Sequence, residues 1–244
     1  MLISTTVAES IGPEHKAPVL LPAHEASYEV LRRGRKIGEV HVRLAPGEDG
    51  VWLFETETEA TAAVARMLGV SATESAHFMW HDGHILALTY HQVARAPTRT
   101  RWWQHQFDWD QGISNTRTYD GDHQISLEPG VIDPLTLRLA VAAKLHQPEA
   151  RDTDHQFRVL ERDEIEDQQF LFEGRETLSL DIGCFDAVRM RRFRRESSSR
   201  NYHSWHAETF AWMPMRILQL RDGREELDIR LISTSLQLAP ETCE

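Results

Sequence analysis

The sequence predicts a mainly β protein: one large curved antiparallel sheet with a single main helix packed on its concave side. Three observations carry this. Apolar and polar residues alternate with period two from Tyr28 onward, as where Val40, Val42 and Leu44 interleave with Glu39, His41 and Arg43. From Gln156 a row of short alternating segments follows, separated by turn residues, and such a row has only antiparallel solutions. One segment alone, Asp133 to His146, reads as a firm helix, and it is apolar on more than one side, as a helix buried against a curved sheet should be.

Taken in order, residues 1–26 carry Pro13, Pro18 and Pro22 without any period and read as a flexible arm. A hairpin follows from Tyr28 to Leu44 around Gly34, then a third strand over Val51–Glu59. Residues 60–69 are alanine-rich and favour a short helical turn. Ser75–Val93 reads as a hairpin because Asp82-Gly83 is a strong two-residue turn signal. The next strand, Thr98–Trp109, places Trp103, His105, Phe107 and Trp109 on one face, and two short strands surround Asp120-Gly121. Asp133 suits a helix N-cap and Pro134 the first helical position, with Leu135, Leu139, Ala142 and Leu145 recurring at helical spacing. Seven further strands are expected near 156–161, 168–173, 176–182, 186–195, 201–210, 213–221 and 225–233. The organisation is a single domain over 27–236 with a C-terminal tail at 237–244.

Composition bounds the function. A net charge of -11 disfavours nucleic acid as a partner. Since no run of 18 apolar residues occurs, no transmembrane span is expected. The first 26 residues lack the basic start and continuous apolar stretch of a secretion signal, which points to the cytoplasm or to a form whose signal has been lost. Two cysteines are too few for a disulfide framework; Cys184 reads as a buried inert thiol, with a single bridge to Cys243 the alternative.

Catalytic signatures are missing: there is no G-x-S-x-G elbow and no phosphate loop, and the carboxylates at Glu161, Asp163, Glu164, Glu166 and Asp167 look like a solvated turn. No metal site or cofactor is expected. His81 and His84 flank a turn, and His203 and His206 point to opposite faces of a strand, so neither pair gathers a third ligand. Two features are candidate binding sites. Trp103, Phe107 and Trp109, with Trp205, Phe210 and Trp212, could line an apolar cleft or form core. Arg189, Arg191, Arg192, Arg194, Arg195 and Arg200 could dock an anion or a partner, or pair across the sheet with Glu225, Glu226 and Asp228 or with Glu176 and Asp181.

The order of YEVLRRGRKIGEVHVRL, FDWDQG at 107–112, DPLTLRLAVAAKL at 133–145, WHAETFAWMPMRILQLRDG and DIRLIS resembles the bacterial DUF3108 family, a domain of unknown function, over about Tyr28 to Ser233. The resemblance implies an envelope protein of Gram-negative bacteria, exported to the periplasm, with an unclosed barrel similar to the lipoprotein-carrier proteins. It brings no catalytic residues. The expectation is a non-enzymatic module that binds a lipid or acylated molecule on the concave face, or else an envelope scaffold that docks a protein partner through the arginines.

Overall fold

The computed structural model describes residues 21–61, 70–193, 200–241 and 243. Its strands form one continuous fifteen-stranded sheet. The first half is a meander of β1 (His24–Arg32), β2 (Arg35–Pro46), β3 (Val51–Ala60), β4 (Ser71–His81), β5 (His84–Ala96), β6 (Arg99–Asp108), β7 (Ile113–Thr118) and β8 (Gly121–Ser126). A short strand, β9 (Val131–Ile132), leads into the helix α1 (Leu137–Leu145). The second half is β10 (His155–Leu160), β11 (Ile165–Leu180), β12 (Gly183–Phe193), β13 (Arg200–His206), β14 (Pro214–Arg221) and β15 (Arg224–Thr234).

β1 and β15 pair antiparallel, from Ala26 opposite Thr234 to Leu31 opposite Asp228, and so fuse the two meanders. The free edges are then β8 and β9, neighbours in sequence, and the sheet stays unclosed between them. A small apolar cluster of Ala87, Phe107, Val131 and Leu160 draws on both sides of this seam. Several hairpins turn through two residues of positive φ, among them Arg33-Gly34, Asp82-Gly83 and Asp222-Gly223. That backbone matches the right-handed twist of the paired strands.

α1 shares one core with the sheet's inner face, where Leu44, Phe54, Phe78, Tyr90, Phe170 and Met190 surround it. It is buried on several sides, through Leu137, Leu139, Val141, Ala142, Ala143 and Leu145. Asp133 anchors its start. Oδ1 accepts from the backbone N–H of Leu135 (2.9 Å) and Thr136 (2.8 Å), and Oδ2 from the Thr136 hydroxyl (2.6 Å). The carboxylate therefore caps the turn that precedes the regular helix.

The structure corrects the sequence reading in four places. The strands expected at 168–173 and 176–182 are one strand, β11: Gly174 does not turn the chain but sits at φ 129° in a register shift opposite β12, a bulge that bends the strand without ending it. The strand expected over 201–210 stops at His206, and a 3-10 turn at Glu208–Phe210 follows. Ala211 and Trp212 then take left-handed φ values of 50° and 60° to bring the chain back into β14. The strand pairing is not wholly antiparallel, because β9 runs parallel to β10 after the intervening helix returns the chain. Lastly, Cys184 is no free thiol: it bonds to Cys243 with the Cα atoms 5.4 Å apart. The arm up to residue 20, the helical turn expected at 60–69 beyond Thr61, and Arg194 and Arg195 lie outside the described residues.

The bridge pins the C-terminal tail back on the sheet. Glu241 N–H donates to the Cys184 carbonyl (2.7 Å), and Leu236 and Leu238 pack on the main core. The bond closes a loop across a sequence separation of 59. Loop-closure entropy then sets the expected effect: a Cys184→Ser, Cys243→Ser variant should lose roughly 4 kcal/mol of unfolding free energy, read as a lower urea midpoint. An unchanged midpoint would contradict a tail fastened in this way.

Candidate functional site

Because the sheet is a meander, its turns alternate between two ends. The β1–β2, β5–β6, β10–β11 and β14–β15 connections share one end, called here the upper end; β2–β3, β4–β5 and β6–β7 turn at the lower end. α1 enters the hollow at the upper end and leaves at the lower. Each half of the helix faces its own cavity.

The upper cavity, of about 360 Å³, is lined by Pro134, Leu137, Arg138 and Val141 of the helix segment. Opposite them stand Trp103, Phe170, Pro214, Ile217 and Ile229 as the apolar wall. A smaller space of about 110 Å³ shares Arg138, Pro214, Ile217 and Ile229 with it and continues to Val40, Val42 and Phe54. The lower cavity, about 420 Å³, lies against Ala140, Ala143 and Lys144, with Trp80, Ile85, Ile132 and Phe157 around it. Volumes of this size suit a drug-sized or acyl-chain ligand.

Polar groups also line the upper cavity. Arg138 faces Glu74 at 3.8 Å. Arg192 Nε donates to Gln168 Oε1 (2.7 Å) and Nη2 to Glu161 Oε1 (3.3 Å), with its guanidinium 5.7 Å from the centre of the Tyr202 ring. Tyr90 donates to Gln92 Oε1 (3.0 Å). By contrast the indole N–H of Trp103, although buried, finds no partner within the protein. A buried donor of that kind is usually satisfied, so a ligand or water that accepts from it would gain a hydrogen bond.

Ser204 and His206 also line this cavity, two residues apart on β13. His206 Nδ1 donates to the Trp212 carbonyl (2.8 Å), which leaves Nε2 to accept from the Ser204 hydroxyl (2.8 Å). The connectivity is that of a nucleophile and its base. Burial, however, lowers the His206 pKa to about 4, too low for an effective general base near neutral pH.

The sequence-derived candidates scatter. Of the six aromatics, Trp103 lines the upper cavity. Phe107 stacks on Trp109 (5.9 Å) at the seam, where Trp109 Nε1 donates to the Ala87 carbonyl (2.7 Å). Trp205 is buried between the guanidinium groups of Arg189 (5.3 Å) and Arg216 (4.8 Å). Phe210 meets His24 edge-on, and Trp212 lies under Arg151. These five fill core or turn positions, and the strand carrying Trp205 ends before Phe210 and Trp212. Alternation therefore never placed the three together.

The arginines are engaged within the sheet. Arg189 and Arg191 both reach Glu173 (3.0 and 2.9 Å), which also takes His203 at 2.7 Å. Glu176 takes Arg189 (3.9 Å) as the pairing reading expected, and Arg200 takes Glu226 (3.5 Å). Glu173 was not anticipated, since the bulge at Gly174 shifts which residues face each other. His81 and His84 pair across their turn and are both exposed. Among the described residues no three His, Cys, Asp or Glu side chains gather as a metal-ligand group. Nor is any described helix long and apolar enough to cross a membrane.

The chain belongs to the family described as proteins of unknown function DUF3108, whose family model matches residues 25–229. No curated protein matches it. Among solved structures it resembles a beta-barrel-like protein of the domain of unknown function DUF1849 from Brucella abortus, with TM-score 0.56 and 9% identity over 90% of this chain and 99% of that one. A second resemblance, to MucB, has TM-score 0.35 and 11% identity, covering 90% of this chain and 55% of that one. At those identities only the DUF1849 likeness bears on the argument, and it speaks to fold alone.

Buried ionisable groups make a pH prediction. Burial lowers His105 and His206 to about 4, and it raises Asp133, despite its hydrogen bonds, to about 6. Between pH 6 and 4 the unfolded chain protonates the two histidines while the folded chain resists, so acidification removes stability. Asp133 has the opposite sign, because the folded state takes up its proton first. Each histidine withdraws roughly 3 kcal/mol and Asp133 offsets roughly 3, a net loss of roughly 3–4 kcal/mol from these groups. Urea unfolding near pH 7 and near pH 4 should show this loss, and His105→Gln should reduce it. A pH profile identical in wild type and variant would refute the assignment.

Proposed function

We propose that this protein is a binding module of the bacterial envelope that holds an apolar or amphipathic ligand, a lipid or another acylated molecule, in the upper cavity on the concave side of its sheet. The observation that carries the reading is the cavity itself: an apolar wall from both halves of the sheet and from α1, polar side chains in the same lining, and the unpartnered indole N–H of Trp103. An amphipath matches that arrangement, with its chain on Leu137, Val141, Phe170, Ile217 and Ile229 and its polar end near Arg138, Arg192 and Tyr202.

A periplasmic location is supported by the disulfide, since such bonds persist in oxidising compartments and are rare in the cytosol. The rival reading, a scaffold docking through Arg189 and its neighbours, has less behind it, because Arg189 and Arg191 already share Glu173 and flank the strand pairing. A catalytic reading of Ser204 and His206 is opposed by the depressed histidine.

The test is a steric block. Ile217 is a partly exposed cavity-wall residue, so Ile217→Trp should fill the hollow while leaving the melting temperature near that of wild type. With a fluorescent long-chain fatty-acid probe, wild type should bind saturably and Ile217→Trp at least about tenfold more weakly, a difference of about 1.4 kcal/mol. Trp103→Phe, which removes the indole donor, should weaken binding by a smaller factor. Equal binding by wild type and Ile217→Trp, or none by wild type, would overturn the proposal.

A further inference from the structure

Cations are distributed unevenly over this acidic molecule. Most described arginines and lysines sit in ion pairs, such as Arg158 with Glu128, Arg175 with Asp152 and Arg216 with Asp228. Arg32, Arg33, Arg35, Arg95, Arg99 and Arg224 form none among the described residues, and all six are exposed. Topology gathers them: Arg32 to Arg35 make the β1–β2 turn, Arg95 and Arg99 bracket the β5–β6 turn, and Arg224 opens β15 beside the β14–β15 turn. All of these lie at the upper end. Because β1 pairs with both β2 and β15, the first and last of these turns are neighbours. Away from this end, Lys144 is the described cation left without an ion pair.

Acidic side chains stand on turns at both ends: Glu48, Asp49, Asp82, Asp110 and Asp181 at the lower, Asp120, Asp163, Glu164, Asp222 and Glu225 at the upper. At the upper end Asp120 and Asp163 are ion-paired with Arg162. The arginines without an ion pair among the described residues, by contrast, gather at the upper end, although the formal net charge is -11. At physiological salt, charges are screened beyond about 8 Å, so a surface approaching the upper end meets its local charges and not those of the far end.

We propose that the upper end is a docking face for an anionic, phosphate-bearing membrane surface. Unpaired guanidinium groups on exposed turns are suited to bidentate phosphate contacts, since each keeps its donors free. Their arrangement favours a membrane over a nucleic acid: they stand on separate hairpin turns at one end of the sheet, as an array that meets a broad surface, and the remaining body repels a polyanion wrapped along it. The face is independent of whether the neighbouring cavity holds a ligand. If both hold, Arg192 and Tyr202 of the cavity lining stand on the strand ends that face the bilayer.

The test is sedimentation of the full chain with phosphatidylcholine vesicles made with and without phosphatidylglycerol. Wild type should bind the anionic vesicles alone, and less as salt rises. An Arg32→Gln, Arg33→Gln, Arg35→Gln variant should bind on the order of 100-fold more weakly, from about 1 kcal/mol per arginine near such a surface. Lys144→Gln, which removes the unpaired cation away from that face, should bind as wild type does. Matching melting temperatures and equal affinity for the fatty-acid probe would show that fold and cavity are intact in the triple variant. The proposal fails if wild type ignores anionic vesicles, if the triple variant binds them equally well, or if double-stranded DNA is bound more tightly than the vesicles.

Discussion

The structure depends on a mismatch between a sheet and the helix it encloses. A fifteen-stranded sheet that curls must bury its inner face, and among the described residues one nine-residue helix packs against it. At about 1.5 Å per residue such a helix is about 14 Å long, whereas a ten-residue strand spans about 33 Å. The rod therefore fills the middle of the hollow and neither end. Both cavities follow from that shortfall, and so does the need to fix the helix, which Asp133 does by accepting three hydrogen bonds at its start.

Closure of the sheet is arranged in an unusual order. The first and last described strands pair with each other, and the open seam falls in mid-sequence, between β8 and β9. The helix follows β9, the strand on one side of that seam, and forms the crossover to β10 beside it. The disulfide fastens the tail that follows β15 to the start of β12. The described arginines without an ion pair gather at the upper end, and cross-strand ion pairs such as Arg189 with Glu173 lie between the ends.

Much of this was legible in the sequence because local rules decide it. Period-two alternation and the Asp82-Gly83 and Asp222-Gly223 turns located most strands, and the Asp133-Pro134 start with its all-round apolar pattern located the helix. What failed was set by tertiary geometry. Gly174 has the same local appearance whether it ends a strand or bulges one, and the choice depends on β12 beside it. Cys184 was ambiguous because its partner lies 59 residues away. The cavity was hidden for the same reason: Trp103 came from alternation, but Arg138, Phe170 and Ile217 belong to three distant elements with no shared motif. Phe210 and Trp212 misled because left-handed backbone at Ala211 and Trp212 breaks the alternation that seemed to align them with Trp205.

If the helix is too short for its sheet, the hollow should hold a guest when the protein is taken from the cell. Native mass spectrometry of protein purified without detergent or organic solvent tests this most directly. The account predicts a discrete mass excess that disappears on denaturation, and its return when the stripped protein is incubated with a lysophospholipid. Bare polypeptide mass in both preparations, with no adduct retained after incubation, would contradict it.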